Sequence, residues 1–301
     1  MTQPKQHHFI PQAFQARFTN EQGRFFYFDR ARPELGVRLG SPGNLFKQGH
    51  LYSVTDANGL RTAPAETELS KIEGYANTII EKVVTTARDG RPPGLSVTER
   101  RVWDNFFLLQ WRRVPDTHRL NSPLSNSEQE VQDLLSAARK RWPGRSEEID
   151  ALSTSHEVKR ITQNARVEAL KIRPGLAEEA LDGRGLAVVH ITDTRRSFVL
   201  GSFPVVKFTK PGRTDLRDFE VEMWLPVSSD VMIGVRELKG TERYIPIADT
   251  GAIRRLNAGV VNQSSTFAGR SEAQIRSRAA VAGPWAPEFA HRASAPIGSR
   301  G

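Results

Sequence analysis

The chain has 301 residues, a formal net charge of +9 and no cysteine. Without cysteine it cannot form disulfides, use a thiolate nucleophile or bind zinc through sulfur. Residues 1–8 are polar and no stretch approaches about 18 consecutive apolar residues, so we expect a cytoplasmic, soluble protein that does not enter a membrane.

The positive charge makes nucleic acid or another polyanion a candidate partner. The isoelectric point is about 10.1, and an excess of basic residues attracts polyanions. Most of the 43 basic residues are arginine, a bias that a GC-rich genome also produces. No window carries the dense Lys/Arg run of a dedicated phosphate-binding arm. Composition therefore leaves nucleic-acid binding open.

The first distinctive segment is Gln-His-His-Phe-Ile-Pro at residues 6–11. Phe14 and Phe18 follow at roughly helical spacing, so we expect the segment to pack on the protein instead of forming a loose tail. Residues 24–29 predict a strand after a glycine-containing turn. Residues 45–54 predict a second short strand.

A long helix is predicted at residues 65–87, with Thr62 as its cap and Pro64 in its first turn. At about 100° per residue, its apolar stripe includes Glu73 and has Glu66 at its margin. A carboxylate on a face that packs against the core needs a partner, because burying an unpaired charge is costly. An ordinary salt bridge at the edge of the core is the structural explanation for Glu73.

A second helix is predicted at residues 96–114, and its start carries the capping-box residues Ser96 and Glu99. Gln110 lies on its apolar face and Arg113 flanks that face. Three residues apart on one helix, the two side chains can direct hydrogen bonds at a single group. They could equally hold neighbouring backbone in place. A short Pro/Gly-rich loop joins the two helices, so we expect them to pack together.

The remaining helices and strands predict an α+β fold. Further helices are expected at residues 128–142 and within 146–180, the latter interrupted near 173–175. Beyond residue 185 the pattern becomes period two and β-branched. It predicts strands at 186–191, 198–200, 205–208, 219–225, 231–236 and, at a sheet edge, 244–247. Two helices near 251–261 and 272–280 complete the folded part.

This order gives a helical N-terminal half with a short β-hairpin and a mostly antiparallel sheet in the C-terminal half. We expect one domain over residues 1–282, helix-rich over 1–182 and sheet-rich over 183–282. Residues 283–301 are rich in Pro, Ala, Gly and Arg and predict a disordered tail.

Several short motifs follow one another along the chain. They are His-His-Phe-Ile-Pro-Gln at residues 7–12, Phe28-Asp29, Asn44, Leu51-Tyr52, the pair Glu66 and Glu73, and Gln110-x-x-Arg113-x-Pro115. Together they resemble the bacterial domain-of-unknown-function family 4238 over about residues 6–270. The resemblance continues more loosely through residues 201–204, 226–228 and 257–267. It implies a map of site residues and no reaction.

One position departs from the family pattern. The family has a Ser-Asp-Asn-Pro turn where this chain has Gly201-Ser202-Phe203-Pro204, so the aspartate is missing. If that aspartate serves as a ligand or an acid in the family, this chain has a weakened site.

The polar residues of these motifs suggest a metal-assisted hydrolase with a phosphodiesterase-like site. His7, His8 and Glu73 are the predicted ligands of a divalent metal ion, because neutral imidazoles and carboxylates bind ions that activate water. Glu73, Gln110 and Arg113 are the predicted catalytic residues. Arg113 would hold an anionic group and Gln110 would orient water or substrate.

Three other interpretations remain open at this stage. The His-His run also looks like the first strand of HNH-type nucleases, with Asn44 and His50 following in that order, although no helix clearly carries His50. The same groups could form a binding module for a ligand or nucleic acid without chemistry. They could also form a hydrogen-bonded core network that only holds the N-terminal segment.

Overall fold

The computed structural model describes residues 6–117, 124–172, 175–210, 213, 215–283 and 285. Helices and antiparallel sheets are both abundant, which confirms the predicted α+β class. Within the described residues, no helix is both long and apolar enough to cross a membrane.

Most α-helices of the described residues lie where the sequence pattern predicts them, but α1 was not predicted and α4 begins four residues before the predicted residue 128. They are α1 (Gln12–Ala16), α2 (Pro64–Arg88), α3 (Val97–Arg112), α4 (Leu124–Arg141), α5 (Ser146–Leu152), α6 (Ser155–Lys171), α7 (Gly175–Asp182), α8 (Thr250–Gln263) and α9 (Glu272–Ala282). The helical region predicted over 146–180 has a further break before Ser155, where the Thr154 hydroxyl caps α6. Of the predicted break near 173–175, residues 173 and 174 lie outside the described residues.

The strands are short and more numerous than predicted. They are β1 (Gln6–His8), β2 (Phe25–Asp29), β3 (Arg38–Gly40), β4 (Lys47–Gly49), β5 (Val54–Thr55), β6 (Arg61–Thr62), β7 (Arg184–Ile191), β8 (Leu200–Gly201), β9 (Val206–Phe208), β10 (Glu222–Pro226), β11 (Val231–Leu238), β12 (Glu242–Ile247) and β13 (Thr266–Gly269). The single strand predicted over 45–54 is wrong. Phe46 and His50 have φ values of 53° and 54°, and positive φ breaks an extended backbone.

A five-stranded sheet has the order β12-β7-β11-β10-β9. Every neighbouring pair is antiparallel except β12 and β7, which run parallel. The central strands β10 and β11 are buried along most of their length. β12 lies at the edge, as Pro246 predicts, because proline has no amide hydrogen to donate.

A four-stranded antiparallel sheet, in the order β3-β2-β13-β8, joins the two halves of the chain. β2 and β3 come from the N-terminal half, whereas β8 and β13 come from the C-terminal half. β13 was not predicted. Its four residues are too few to show a period, and their extended form depends on pairing with β2, more than 200 positions earlier. The C-terminal strands are therefore divided between two sheets, and β8 and β13 belong to the one that includes N-terminal strands.

The start of α2 differs from the prediction. Ala63, not Thr62, is the N-cap residue, and its side chain makes no capping hydrogen bond. Pro64 is at the first helical position, where its missing N–H costs nothing because the first amides of a helix lack partners within it.

The start of α3 is the predicted capping box. Ser96 Oγ accepts from the Glu99 amide, and a Glu99 carboxylate oxygen accepts from the Ser96 amide at 2.7 Å. The Lys82 ammonium of α2 donates to the same carboxylate at 2.9 and 3.0 Å. This contact links the helices α2 and α3, which pack together as expected.

Glu99 should make the stability of the protein depend on acid. The hydrogen bond from Lys82 and the Ser96 amide lower the pKa of Glu99 to about 2. The folded-state pKa is below the unfolded value, so the stabilisation is complete above the unfolded pKa and disappears as pH falls through the folded one. Because the side chain is one-third exposed, we expect Glu99→Gln to cost about 1 kcal/mol near pH 7.

Urea unfolding across pH would measure this effect. The difference between wild type and Glu99→Gln should shrink as pH falls from about 4.5 towards 2. The exposed Glu34 provides a control, since Glu34→Gln should change stability little at any pH. A constant difference between wild type and Glu99→Gln over this range would contradict the argument.

The predicted tail begins at residues that the structure partly describes. Arg30 donates to the carbonyl oxygens of Ala282 at 2.7 Å and Gly283 at 3.2 Å. Its guanidinium also lies 5.2 Å from the ring centroid of Trp285. Trp285 therefore packs on the fold, while 284 and 286–301 lie outside the described residues.

Candidate functional site

Three elements bring the predicted polar residues together. β1 carries His7 and His8 and pairs antiparallel with β4. α2 carries Glu66 and Glu73, which lie seven residues, or about two turns, apart and so face the same side. The last turn of α3 carries Gln110, and Arg113 is its C-cap residue. We call the following seven residues the polar cluster: His7, His8, Tyr52, Glu66, Glu73, Gln110 and Arg113.

Arg113 is the buried centre of one half of the polar cluster. It is 1% exposed and donates from Nη1 to Glu73 Oε1 at 2.5 Å. With the Gln110 amide oriented so that its oxygen faces the guanidinium, this oxygen accepts from Nε at 3.1 Å and from Nη2 at 2.8 Å. Gln110 is fully buried. Neither side chain reaches solvent, so both can affect a substrate only through Glu73.

His7 occupies the other half, beside Glu66 and Tyr52. It is 1% exposed, its Nδ1 lies 3.1 Å from Glu66 Oε2, and its ring meets the Tyr52 ring edge-on at 5.5 Å between centroids. The short distance to Glu66 does not have the angle of a hydrogen bond. Within the described residues, neither nitrogen of His7 nor the Tyr52 hydroxyl has a hydrogen-bond partner.

His8 is half-buried and approaches the cluster from the side of β4. Burial lowers its pKa, and Lys47 lowers it further. The Gly43 and Pro42 backbone and the charge of Glu73 oppose this shift. His8 is therefore neutral near pH 7, with a nitrogen lone pair that can bind a proton or a metal ion. The Gln12 amide nitrogen lies 3.4 Å from its Nδ1.

Tyr52 was predicted only as part of the Leu51-Tyr52 motif, not as a site residue. Burial raises its pKa to about 12, and the carboxylates of Glu73 and Glu66 add to this against the opposing charge of Arg113. The phenol therefore keeps its proton at any physiological pH and presents an O–H donor to the cluster. No local sequence signal distinguishes such a tyrosine from one in the core.

Glu73 connects the buried cluster to the surface. Its side chain is 26% exposed, and it lines a groove of about 300 Å³ between α1 and α2. Pro11, Gln12, Ser70 and Asn77 also line this groove. A molecule in the groove would therefore contact the carboxylate that Arg113 holds.

The predicted metal ligands are not already grouped. Within the described residues, no three His, Asp or Glu side chains lie together in a way that could hold a metal ion. The two further residues of the nuclease interpretation make local contacts. Asn44 donates to Ser41 Oγ at 3.3 Å, and His50 Nδ1 lies 3.5 Å from Ser53 Oγ.

The family model for DUF4238, described as a protein of unknown function, matches residues 6–273. The chain belongs to this family. The DUF4238 match includes every residue of the polar cluster. Comparisons with curated proteins and with solved structures found no match.

A second buried network lies at the Ser202 position of this DUF4238 chain. Asp116 is 1% exposed, and its carboxylate accepts a hydrogen bond from the Ser202 hydroxyl. It also accepts from the amide and from the hydroxyl of Ser265, both at 2.9 Å. The positive charge of Arg30 lies near enough to act on Asp116. A carboxylate supplied by another segment is thus present beside the turn at residues 201–204.

Asp116 holds the ends of three strands. Arg30 follows β2, Ser202 follows β8 and Ser265 precedes β13, and these three strands are neighbours in the four-stranded sheet. Sequence reasoning missed Asp116, although it directly follows Pro115 of the Gln-x-x-Arg-x-Pro motif. Its contacts assign it to holding the sheet.

Proposed function

We propose that the polar cluster is the active site of a metal-assisted hydrolase with phosphodiesterase-like activity. The observation that supports this is that two neighbouring side chains, His7 and Tyr52, bury polar atoms (His7 Nε2 and the Tyr52 hydroxyl) that have no hydrogen-bond partner in the described residues. A network that only stabilised the fold would have its buried nitrogen and oxygen atoms paired, because each unpaired one costs about 1–3 kcal/mol. Polar atoms with unused bonding capacity are typical of a site that binds something else.

The residues divide into groups that reach the groove and groups that act through them. Glu73 is the residue that can contact a substrate directly and accept a proton from water. His8, neutral near pH 7, is the second proton acceptor. Arg113 and Gln110 are positioning residues, because Arg113 donates to Oε1 of Glu73 and Gln110 orients Arg113, whereas Oε2 of Glu73 makes no hydrogen bond within the described residues.

A divalent ion remains part of the proposal, with His7, His8 and Glu73 as its ligands. Neutral imidazole nitrogens and a carboxylate oxygen suit such an ion, and within the described residues His7 Nε2 has no hydrogen-bond partner. The ion would activate water for attack on the ester. Since these side chains are not grouped in the structure, binding would require them to change rotamers.

Glu73→Gln is the decisive variant. We expect wild-type protein to hydrolyse bis(4-nitrophenyl) phosphate in the presence of Mg²⁺, Mn²⁺ or Zn²⁺, and Glu73→Gln to lose at least about 100-fold in rate. Calorimetric titration with the same ions should show binding to wild type and none to the variant. Circular dichroism should show an unchanged fold.

Glu68→Gln is the matched control. Glu68 lies on the same helix, is 63% exposed and pairs only with Lys71 in the described residues. It loses the same charge, so its rate and ion binding should equal those of wild type. Absence of both turnover and ion binding in wild type would refute the hydrolase proposal, as would equal losses in the two variants.

The groove along α1 and α2 also supports a second candidate, a binding module without chemistry. In that case a ligand or nucleic acid would occupy the groove and raise the melting temperature without being hydrolysed. Glu73→Gln would then abolish the ligand-induced shift.

A further inference from the structure

A pocket rich in arginine lies away from the polar cluster and shares no residue with it. Its volume is about 290 Å³, and it lies between the turn before Ser197 and the first turns of α8 and α9. Four arginines line it, namely Arg195, Arg196, Arg254 and Arg278, and its lining contains no carboxylate among the residues that the structure describes. We call it the arginine pocket.

The floor of the arginine pocket is rigid. The Ser197 carbonyl accepts from Asn257 Nδ2 at 2.9 Å and from Gln274 Nε2 at 2.5 Å, which joins the loop to both helices. The Arg270 guanidinium donates to the carbonyls of Thr194 and Arg196 at 2.5 and 2.8 Å and fixes the turn that carries Arg196. The pocket is therefore formed before any ligand arrives.

Within the described residues, two of the four arginines, Arg254 and Arg278, have no carboxylate partner. Arg195 and Arg196 lie 2.9 and 3.8 Å from Asp193. In contrast, Arg254 and Arg278 make no ion pair or hydrogen bond within the described residues. Arg278 is half-buried, and its pKa is lowered by burial and by the charge of Arg254. Two unpaired cations side by side repel each other, so the arrangement costs stability unless an anion joins them.

The helices beside the pocket add to this positive potential. Thr250 is the first residue of α8, and Ser271 caps α9, so both helices direct their N-terminal ends towards the pocket. A helix N-terminus carries a partial positive charge. Carboxylates near the pocket have other partners: Asp249 caps α8, and Glu272 pairs with Arg276 at 2.5 Å.

We propose that the arginine pocket binds a phosphate group. A guanidinium matches the oxygens of a phosphate with two parallel hydrogen bonds, which favours arginine over lysine in such sites. Arg254 and Arg278 hold the phosphate, while Arg196, Ser271 and Ser277 lie in the same lining. The volume is at the lower end of small-molecule pockets, so it can also hold part of the molecule that carries the phosphate.

Binding should be measured with three probes, namely inorganic phosphate, a nucleoside 5′-monophosphate and a short single-stranded oligonucleotide. We expect wild type to bind at least one of them by calorimetric titration. Each arginine should contribute about tenfold in affinity, so the double variant R254Q/R278Q should lose about 100-fold or more. Comparison of the probes tells whether free phosphate, a nucleotide or a strand is the preferred source.

The matched control is R61Q/R101Q, which also removes two positive charges, but from exposed arginines outside the pocket. It should retain the affinity of wild type for small phosphates. Without ligand, R254Q/R278Q should melt no lower than wild type, because the variant removes a repulsion. Three results would overturn the proposal: no binding of any probe by wild type, unchanged affinity in R254Q/R278Q, or an equal loss in the control.

Discussion

Phe107→Ala should lower the free energy of unfolding by about 3–5 kcal/mol. Phe107 is fully buried on α3, its ring lies 5.9 Å from the Trp103 ring between centroids, and α3 packs against α2. Alanine removes the transfer free energy of the ring and leaves a cavity that fixed helices cannot fill. Urea unfolding monitored by circular dichroism would measure the change.

Tyr75→Ala is the control for this variant. Tyr75 is also an aromatic residue on a long helix, α2, but it is 68% exposed. Its loss should cost less than about 1 kcal/mol. A change in Phe107→Ala as small as that of Tyr75→Ala would show that the face between α2 and α3 is not the core.

Asp116→Ala should lower the free energy of unfolding by about 3–5 kcal/mol, as much as Phe107→Ala, because it breaks a buried charged network. The variant leaves the Ser202 and Ser265 hydroxyls and the Ser265 amide without their acceptor. It also removes the negative charge near Arg30, a cation that is 7% exposed. Thermal or urea unfolding would measure the loss.

Ser202→Ala keeps the charge of Asp116 and removes only the hydrogen bonds of the Ser202 hydroxyl. It removes one donor to the carboxylate and the acceptor of the Thr266 amide at 3.0 Å, and it leaves the bonds between Asp116 and Ser265 in place, so the cost should be about 2 kcal/mol. If Asp116→Ala cost no more than Ser202→Ala, the carboxylate would not be the centre of the network.

Local pattern was enough for the long helices. The capping box of Ser96 and Glu99, Pro64 at a first helical position and the apolar stripe of α2 depend on residues within a few positions of one another. Such signals are complete in a short window, which explains why α2 and α3 begin and end within two residues of their predicted bounds.

The pairing of Glu73 with Arg113 also had a basis in the sequence. A carboxylate on a buried stripe needs a cation, and the short loop between α2 and α3 makes the neighbouring helix the closest source. The structure adds that the Arg113 guanidinium donates hydrogen bonds to both Glu73 and Gln110. Which groups a guanidinium binds depends on distances between atoms in the folded protein, and the spacing of residues along the sequence does not give those distances.

The sequence by itself determined the α+β class, the two central helices, the family and five residues of the polar cluster, although not Tyr52 as a site residue. The tertiary structure alone decided that β2 and β13 share a sheet, that Asp116 joins three strand ends, and that Arg254 and Arg278 face one pocket. The physical reason is distance along the chain. The partners of a strand or of a buried carboxylate can lie far away in sequence, more than 200 positions for β2 and β13, and no local window holds both members of such a pair. The two arginines of the pocket likewise come from different helices, and their closeness depends on how those helices pack.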